Sequence, residues 1–197
     1  MFIVIGDTTK SQSVKRKEEN VSILKVARLG HPILRQVAGP VPDEAFNSLE
    51  VRCLIRDMVE TMREYEGVGL AAPQVHESMQ IIVIEVNQNP RYPLAPEIPL
   101  VVLTNLVITP LTKEKVEDWE GCLSVPDLRG KVPRYRQIEV QARDASGKEI
   151  TLSAQNFFAR VIQHEYDHLA GKVFLDHMSS NDTLSYSAEY IKYWEEK

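Results

Sequence analysis

His164-Glu165-Tyr166-Asp167-His168 is the stretch on which the reading of this chain turns. Two imidazoles stand four residues apart, with a carboxylate directly after the first. On an α-helix, positions i and i+4 lie one above the other on a single face, so both rings can reach the same point in space. A metal ion would sit at that point, and neutral imidazole suits zinc, iron(II) or nickel. Glu165, about 100° further round the helix, can reach a water on such a metal without becoming a ligand. This is the H-E-x-x-H pattern, with the glutamate as general base.

The flanking residues separate this reading from two histidines on a solvated face. Phe158, Ile162, Glu165 and Leu169 recur at spacings of four, three and four, so Glu165 falls on a stripe that is otherwise apolar. A carboxylate there is costly without a partner, and burial raises its pKa toward the range useful for proton transfer. Phe157, Val161, His164 and His168 form the neighbouring stripe.

Composition narrows the class. At 197 residues, 43% of them hydrophobic, the chain has enough apolar material for one sizeable core and is not a disordered protein. Its 23 basic and 28 acidic residues give a net charge of -5, which argues against nucleic-acid binding as its main business. Cys53 and Cys122 are too few for a disulfide framework and offer no C-x-x-C site, so a reducing compartment, the cytoplasm, is expected. The apolar run Met1-Phe2-Ile3-Val4-Ile5 is too short for a signal segment or a membrane span. Residues 10–20 carry almost no apolar side chains, so residues 1–20 read as a flexible extension ahead of one domain over 21–197.

The periodicities predict mixed structure. A short strand is expected over Ser22–Leu29 and an amphipathic helix over Asp43–Glu66, ended by Gly67, with Cys53 filling its core. Strands are expected at Ile81–Val86 and Leu100–Ile108, on either side of a loop holding Pro90, Pro93, Pro96 and Pro99. A hairpin is expected from Ile138–Ala142 and Glu149–Leu152. Ser153 offers an N-cap for the histidine helix and Gly171 a stop beyond it. Leu184–Trp194 suits a last short helix. Strands without regular βαβ alternation indicate an α+β domain.

The third metal ligand decides the chemistry. A histidine six residues after His168 would continue one zincin pattern, but that position is Phe174. Glu189 would serve as the downstream glutamate of an H-E-x-x-H zinc endopeptidase. Cys122, in Trp119-Glu120-Gly121-Cys122-Leu123-Ser124, is the other candidate, and as a lone cysteine it could equally be a buried thiol. A thiolate with two imidazoles leaves one coordination position open, as catalytic sites do.

Gly67-Val68-Gly69-Leu70-Ala71-Ala72-Pro73-Gln74 has small residues that let backbone pass close to a ligand, with an amide at the end to donate a hydrogen bond. Together with Glu120-Gly121-Cys122-Leu123-Ser124 and Gln163-His164-Glu165-Tyr166-Asp167-His168, in that order and at those separations, it closely resembles the three signature motifs of the peptide deformylases. The resemblance covers about Val21 to Met178. It implies antiparallel sheets packed around a central helix that carries H-E-x-x-H. It further implies Cys122, His164 and His168 as metal ligands, Glu165 as acid and base, and Gln74 with the Leu123 backbone N–H as the oxyanion hole. The reaction implied is removal of formyl from the N-terminal formyl-methionine of nascent peptides. Iron(II) is the usual metal of such enzymes, with zinc, nickel or cobalt able to replace it. Glu120 and Arg134 match a buried supporting ion pair, and Arg129 matches an arginine near the peptide. Gly69 resembles a close-packed glycine that leaves room for a formyl hydrogen but not an acetyl methyl. Val68, Leu123 and Val161 are candidates for the methionine pocket. Bacterial members often carry a basic C-terminal helix associated with ribosome docking; this tail is not clearly basic, so ribosome contact by that route is not expected, and any other contact is expected to be transient.

Overall fold

The computed structural model describes residues 21–195 except Pro90 and Pro93. The extension expected over residues 1–20 lies outside the described residues. After short 3-10 turns at Pro32–Arg35 and Asp43–Ala45 come helix α1 (Leu49–Glu64), strand β1 (Gly69–Ala71), a 3-10 turn at Ala72–Val75, and β2 (Ile81–Val86). Then follow β3 (Ile98–Pro110), β4 (Lys115–Cys122), β5 (Val125–Tyr135), β6 (Gln137–Arg143), β7 (Glu149–Gln155) and α2 (Asn156–Leu169), with β8 (Ser185–Tyr186) and α3 (Ser187–Tyr193) closing the described chain. The strands form an antiparallel five-stranded sheet in the order β1-β2-β3-β6-β7 and an antiparallel three-stranded sheet β4-β5-β8. This is the expected α+β architecture.

Strand β2, Ile81-Ile82-Val83-Ile84-Glu85-Val86, shows why the core has two halves. Alternate side chains of a strand face opposite ways, and here both faces are covered. Ile82, Ile84 and Val86 pack with Ala159, Val161, Ile162 and Leu169 of α2, whereas Ile81 and Val83 pack with Val51, Ile55, Met58 and Met62 of α1. Helix α2 is buried along most of its length, its polar residues included. It also meets the second sheet through Arg160, which donates to Val132 O at 2.8 Å and Val116 O at 2.6 Å. Gln163 clamps the same helix to Tyr135: its Nε2 donates to Tyr135 O at 2.9 Å and its Oε1 accepts from Tyr135 N at 3.0 Å.

Several boundaries differ from the sequence expectation. Ser22–Leu29 is not a strand; its amides instead tie separate parts together, Leu24 N donating to Thr61 Oγ1, Ala27 N to Gln74 O and Leu29 N to Ser124 O. The helix expected from Asp43 begins only at Leu49, because Ser48 takes the N-cap and its Oγ accepts from Val51 N at 3.2 Å. Cys53 on that helix is half-buried rather than core. Ser153 lies within β7, and the N-cap of α2 is Gln155. Pro99 belongs to β3 rather than to the preceding loop. The expected stop holds: Ala170 caps α2 and Gly171 follows with φ 71°, a left-handed conformation that costs glycine little. Among the described residues no helix is long and apolar enough to cross a membrane.

Candidate active site

Three elements converge at one place. The β4–β5 hairpin delivers Cys122 as the last residue of β4, α2 delivers His164 and His168, and the 3-10 turn after β1 delivers Gln74. One ligand atom from each of Cys122, His164 and His168 lies within 4.8 Å of the others, and all three residues are buried. Cys122 Sγ is 3.3 Å from His168 Nε2. Among the described residues this is the one group of three such side chains placed to hold a metal ion, and Glu189, exposed on α3, is not part of it.

A hydrogen-bonded scaffold orients these groups. Glu120, two residues before Cys122 on β4, receives both arms of Arg134, Nε at 2.9 Å and Nη2 at 3.0 Å, and Arg160 Nη1 at 2.8 Å. Its Oε2 also lies 2.9 Å from His164 Nδ1. Burial by itself would push the Glu120 carboxyl up, but the His164 and Arg134 contacts outweigh it and hold the group well below the usual carboxylate range. An ionised Glu120 only accepts, so His164 Nδ1 carries the proton and Nε2 is the nitrogen left for a cation. Arg134 Nη1 donates to Asp167 Oδ2 at 2.6 Å, so one guanidinium ties β4 and β5 to α2 inside the protein.

The electrostatics fit a cation. Burial disfavours a Cys122 thiolate, yet the positive charge of His168 and the hydrogen bonds of both histidines outweigh it, and the thiol sits well below its ordinary value. Burial likewise opposes a charged His164, and its contacts with Cys122 and Glu120 raise it well above the usual imidazole value. A thiolate drawn to imidazolium is the pairing that a metal ion at the same point would replace, releasing the protons. Soft sulfur with two imidazoles suits iron(II), zinc, nickel or cobalt. His168 Nδ1 and Glu165 Oε2 are buried with no hydrogen-bond partner among the described residues.

Glu165 stands over this group from the next position on α2. Burial raises its carboxyl pKa to about 7, opposed by the charges of His164 and His168. Its room comes from Gly69: a Cβ there would overlap Glu165 Oε1 and lie 2.8 Å from its Cδ and Cγ. The space expected to bound the substrate at Gly69 is thus taken on that side by the carboxylate. Gln74 is buried, its Oε1 accepting from Ala71 N at 2.8 Å. Its Nε2 therefore points the other way, 3.3 Å from Ser124 Oγ and 3.5 Å from Cys122 Sγ.

A cleft opens above these groups, and Val68, Gly69, Gln74, Leu123, Val161 and Glu165 all line it. Arg129 is not on that cleft; it lines an adjoining groove shared with Arg91, Cys122 and Leu123. Sequence reasoning missed Arg91, Tyr92 and Trp119 as walls of the cleft and Arg160 and Asp167 as parts of the scaffold. Asp167 and Arg160 could have been found, since both lie on a helix otherwise buried and needed charged partners.

Residues 23–183 match the family model described as polypeptide deformylase. Peptide deformylase 1 of Bordetella pertussis is 48% identical over 149 residues, covering 76% of this chain and 84% of that protein. A class I type b peptide deformylase of Acinetobacter baumannii, solved with Met-Ala-Ser bound, superposes with TM-score 0.78 at 41% identity, covering 81% of this chain and 100% of that one. The peptide deformylase of Thermus thermophilus gives TM-score 0.70 at 37% identity over 80% of this chain and 86% of its own.

Proposed function

The chain belongs to the peptide deformylase family, a metal-dependent hydrolase that removes the N-terminal formyl group of peptides, and we propose that Cys122, His164 and His168 hold its metal while Glu165 moves the proton. The observation that carries this assignment is the buried thiol and two imidazoles within 4.8 Å of one another, directly beside a carboxyl whose pKa burial has raised to about 7. Iron(II) is the proposed ion in the cell, with zinc, nickel or cobalt able to occupy the same donors. When bound, the ion supplies Lewis acidity and makes water at the site more acidic.

The residues of the chain divide the remaining work. Glu165 accepts the proton of the attacking water and later delivers it to the departing amine, and a carboxyl that titrates near neutrality suits both steps. Gln74 Nε2–H and the Leu123 backbone N–H donate to the formyl oxygen as negative charge develops there, worth about 3 to 4 kcal/mol per well-aimed donor in comparable sites. Glu120, Arg134 and Asp167 keep His164 turned toward the ion. Val68, Leu123 and Val161 receive the methionine side chain, Gly69 crowds the formyl carbon, and Arg129 approaches the peptide from the adjoining groove. The proposed substrates are nascent formyl-methionyl peptides in the cytoplasm, met in transient contact with the ribosome and without direct nucleic-acid or membrane binding. Amine release from formyl-Met-Ala-Ser, with metal content measured on the same anaerobic sample, tests the proposal; stoichiometric metal without amine release would sink it.

A further inference from the structure

An edge strand presents a row of unpaired backbone groups, a template for one more strand, and folded chains usually blunt it with charge, proline, bulges or shortness. The two sheets of this protein have four edge strands among the described residues, β1, β7, β4 and β8. Strand β1 is three residues long and β8 two. Strand β4 carries the exposed charges Lys115, Glu117 and Asp118, and its register with β5 shifts between Gly121 and Cys122.

Strand β7, Glu149-Ile150-Thr151-Leu152-Ser153-Ala154-Gln155, has none of these devices beyond one charge at its first position, and it keeps unbroken register with β6. Among the described residues no strand pairs on its other side. The turn that precedes it fixes which backbone groups are left over. Asp144 N donates to Lys148 O at 2.9 Å, so in the alternation of an antiparallel ladder Ile150, Leu152 and Ala154 turn their N–H and C=O toward β6. Those of Glu149, Thr151, Ser153 and Gln155 point away from the sheet, and all four residues are exposed. Ile150 and Leu152 pack against the core yet stay half-buried, as side chains at an open edge do.

We propose that β7 is an interaction surface for a second copy of this chain, the two β7 strands pairing antiparallel about a twofold axis at Leu152. The strand is self-complementary in that register. Leu152 faces Leu152 of the second copy, Ile150 faces Ala154, and Thr151 faces Ser153, a hydroxyl pair that hydrogen-bonds across strands. Glu149 faces Gln155 and Lys148 faces Asn156, so each charge meets an amide and no like charges oppose one another. The operation joins the two five-stranded sheets edge to edge, and a closed isologous pair leaves no further edge at β7. No residue of β7 lines the metal cleft, so both sites stay open, and the surface is independent of the deformylase reading.

Analytical ultracentrifugation of the full chain tests this, and the average mass should rise from one chain toward two as the concentration increases. Ser153→Pro removes an outward N–H that β6 does not use, so the folded spectrum should be unchanged while the mass returns to that of one chain. Ser153→Ala keeps the N–H and should still pair. Cysteine reads the register. With Cys53→Ser in place, Leu152→Cys alters the position on the axis, where facing Cα atoms stand about 4.5 Å apart, and the two copies should cross-link under diamide. Thr151→Cys, about 7 to 8 Å from its own counterpart, lies beyond disulfide reach and should not. A mass of one chain at every concentration, a dimer that survives Ser153→Pro, or equal cross-linking at 151 and 152 would overturn the proposal. So would dimers that form only once residues 1–20 are removed, because the chain's own first segment would then be the occupant of this edge.

Discussion

Gly69 and Glu165 divide one small volume between them: the place a side chain would occupy on the first is filled by the carboxyl of the second. Gly69 sits on β1, which packs against α2, so the strand and helix can approach this closely only if the strand lacks a Cβ at that point. Gly69→Ala should therefore push Glu165 from its position without touching the proposed metal ligands. The expected outcome is stoichiometric metal with turnover reduced at least a hundredfold, read from metal analysis and kcat on one preparation. Near-wild-type kcat would show that the carboxyl has freedom the packing denies it.

Glu165→Gln keeps the volume of the side chain and removes its ability to take a proton. Metal content and the folded spectrum should be unchanged, while kcat falls by about 10²- to 10⁴-fold, the usual contribution of a positioned base. Loss of metal in this variant would make Glu165 a ligand and end the division of roles proposed above.

Cys122→Ser replaces a buried low-pKa thiol with a hydroxyl that does not ionise near neutrality. Metal occupancy or activity should drop by orders of magnitude, whereas Glu189→Ala, on the exposed face of α3, should change neither. The reverse pattern would move the chemistry to that of a glutamate-ligated endopeptidase.

Arg134→Met would leave Asp167 without its arginine and Glu120 with only Arg160 and His164. Breaking a buried ion pair on one side costs about 3 to 5 kcal/mol, and urea unfolding of the metal-free protein should register a loss of that order. A change below about 1 kcal/mol would mean that the pair behaves like an exposed one.

Formyl-Met peptides should be hydrolysed at least tens of times faster than acetyl-Met peptides, the scale set by one methyl that does not fit. Comparable kcat/KM for the two would remove Gly69 from any account of specificity, although its packing against Glu165 would stand.

The sequence was legible where one physical rule acted alone. The i, i+4 pair His164 and His168 needed only helical geometry, and Ile81–Val86 needed only β-branched residues in a run. The β4–β5 hairpin stayed hidden because the residues it buries include Glu120, Arg129 and Arg134, so its inward face reads as polar and Pro133 reads as a break. Glu120 and Arg134 are satisfied by each other and by α2, partners separated by at least 14 positions in the chain, and Arg129 lies over the rings of Tyr92 and Tyr190; no local window can see such partners. The same holds for Gly69, whose reason lies in Glu165 rather than in any turn of its own. The start of α1 was lost to a simpler cause: the apolar spacing continues through Phe46, while Ser48 sets the boundary.

The candidate ligands stand at positions 122, 164 and 168, and the guanidinium that aligns them bridges strand to helix across residues 120, 134 and 167. During its own synthesis the chain therefore exposes Cys122 long before either histidine exists. No partial product ending before residue 168 can complete the metal site, however well its first sheet has folded. An enzyme that acts on the beginnings of other chains becomes competent, on the proposed assignment, only once its own last candidate ligand, His168, has been made.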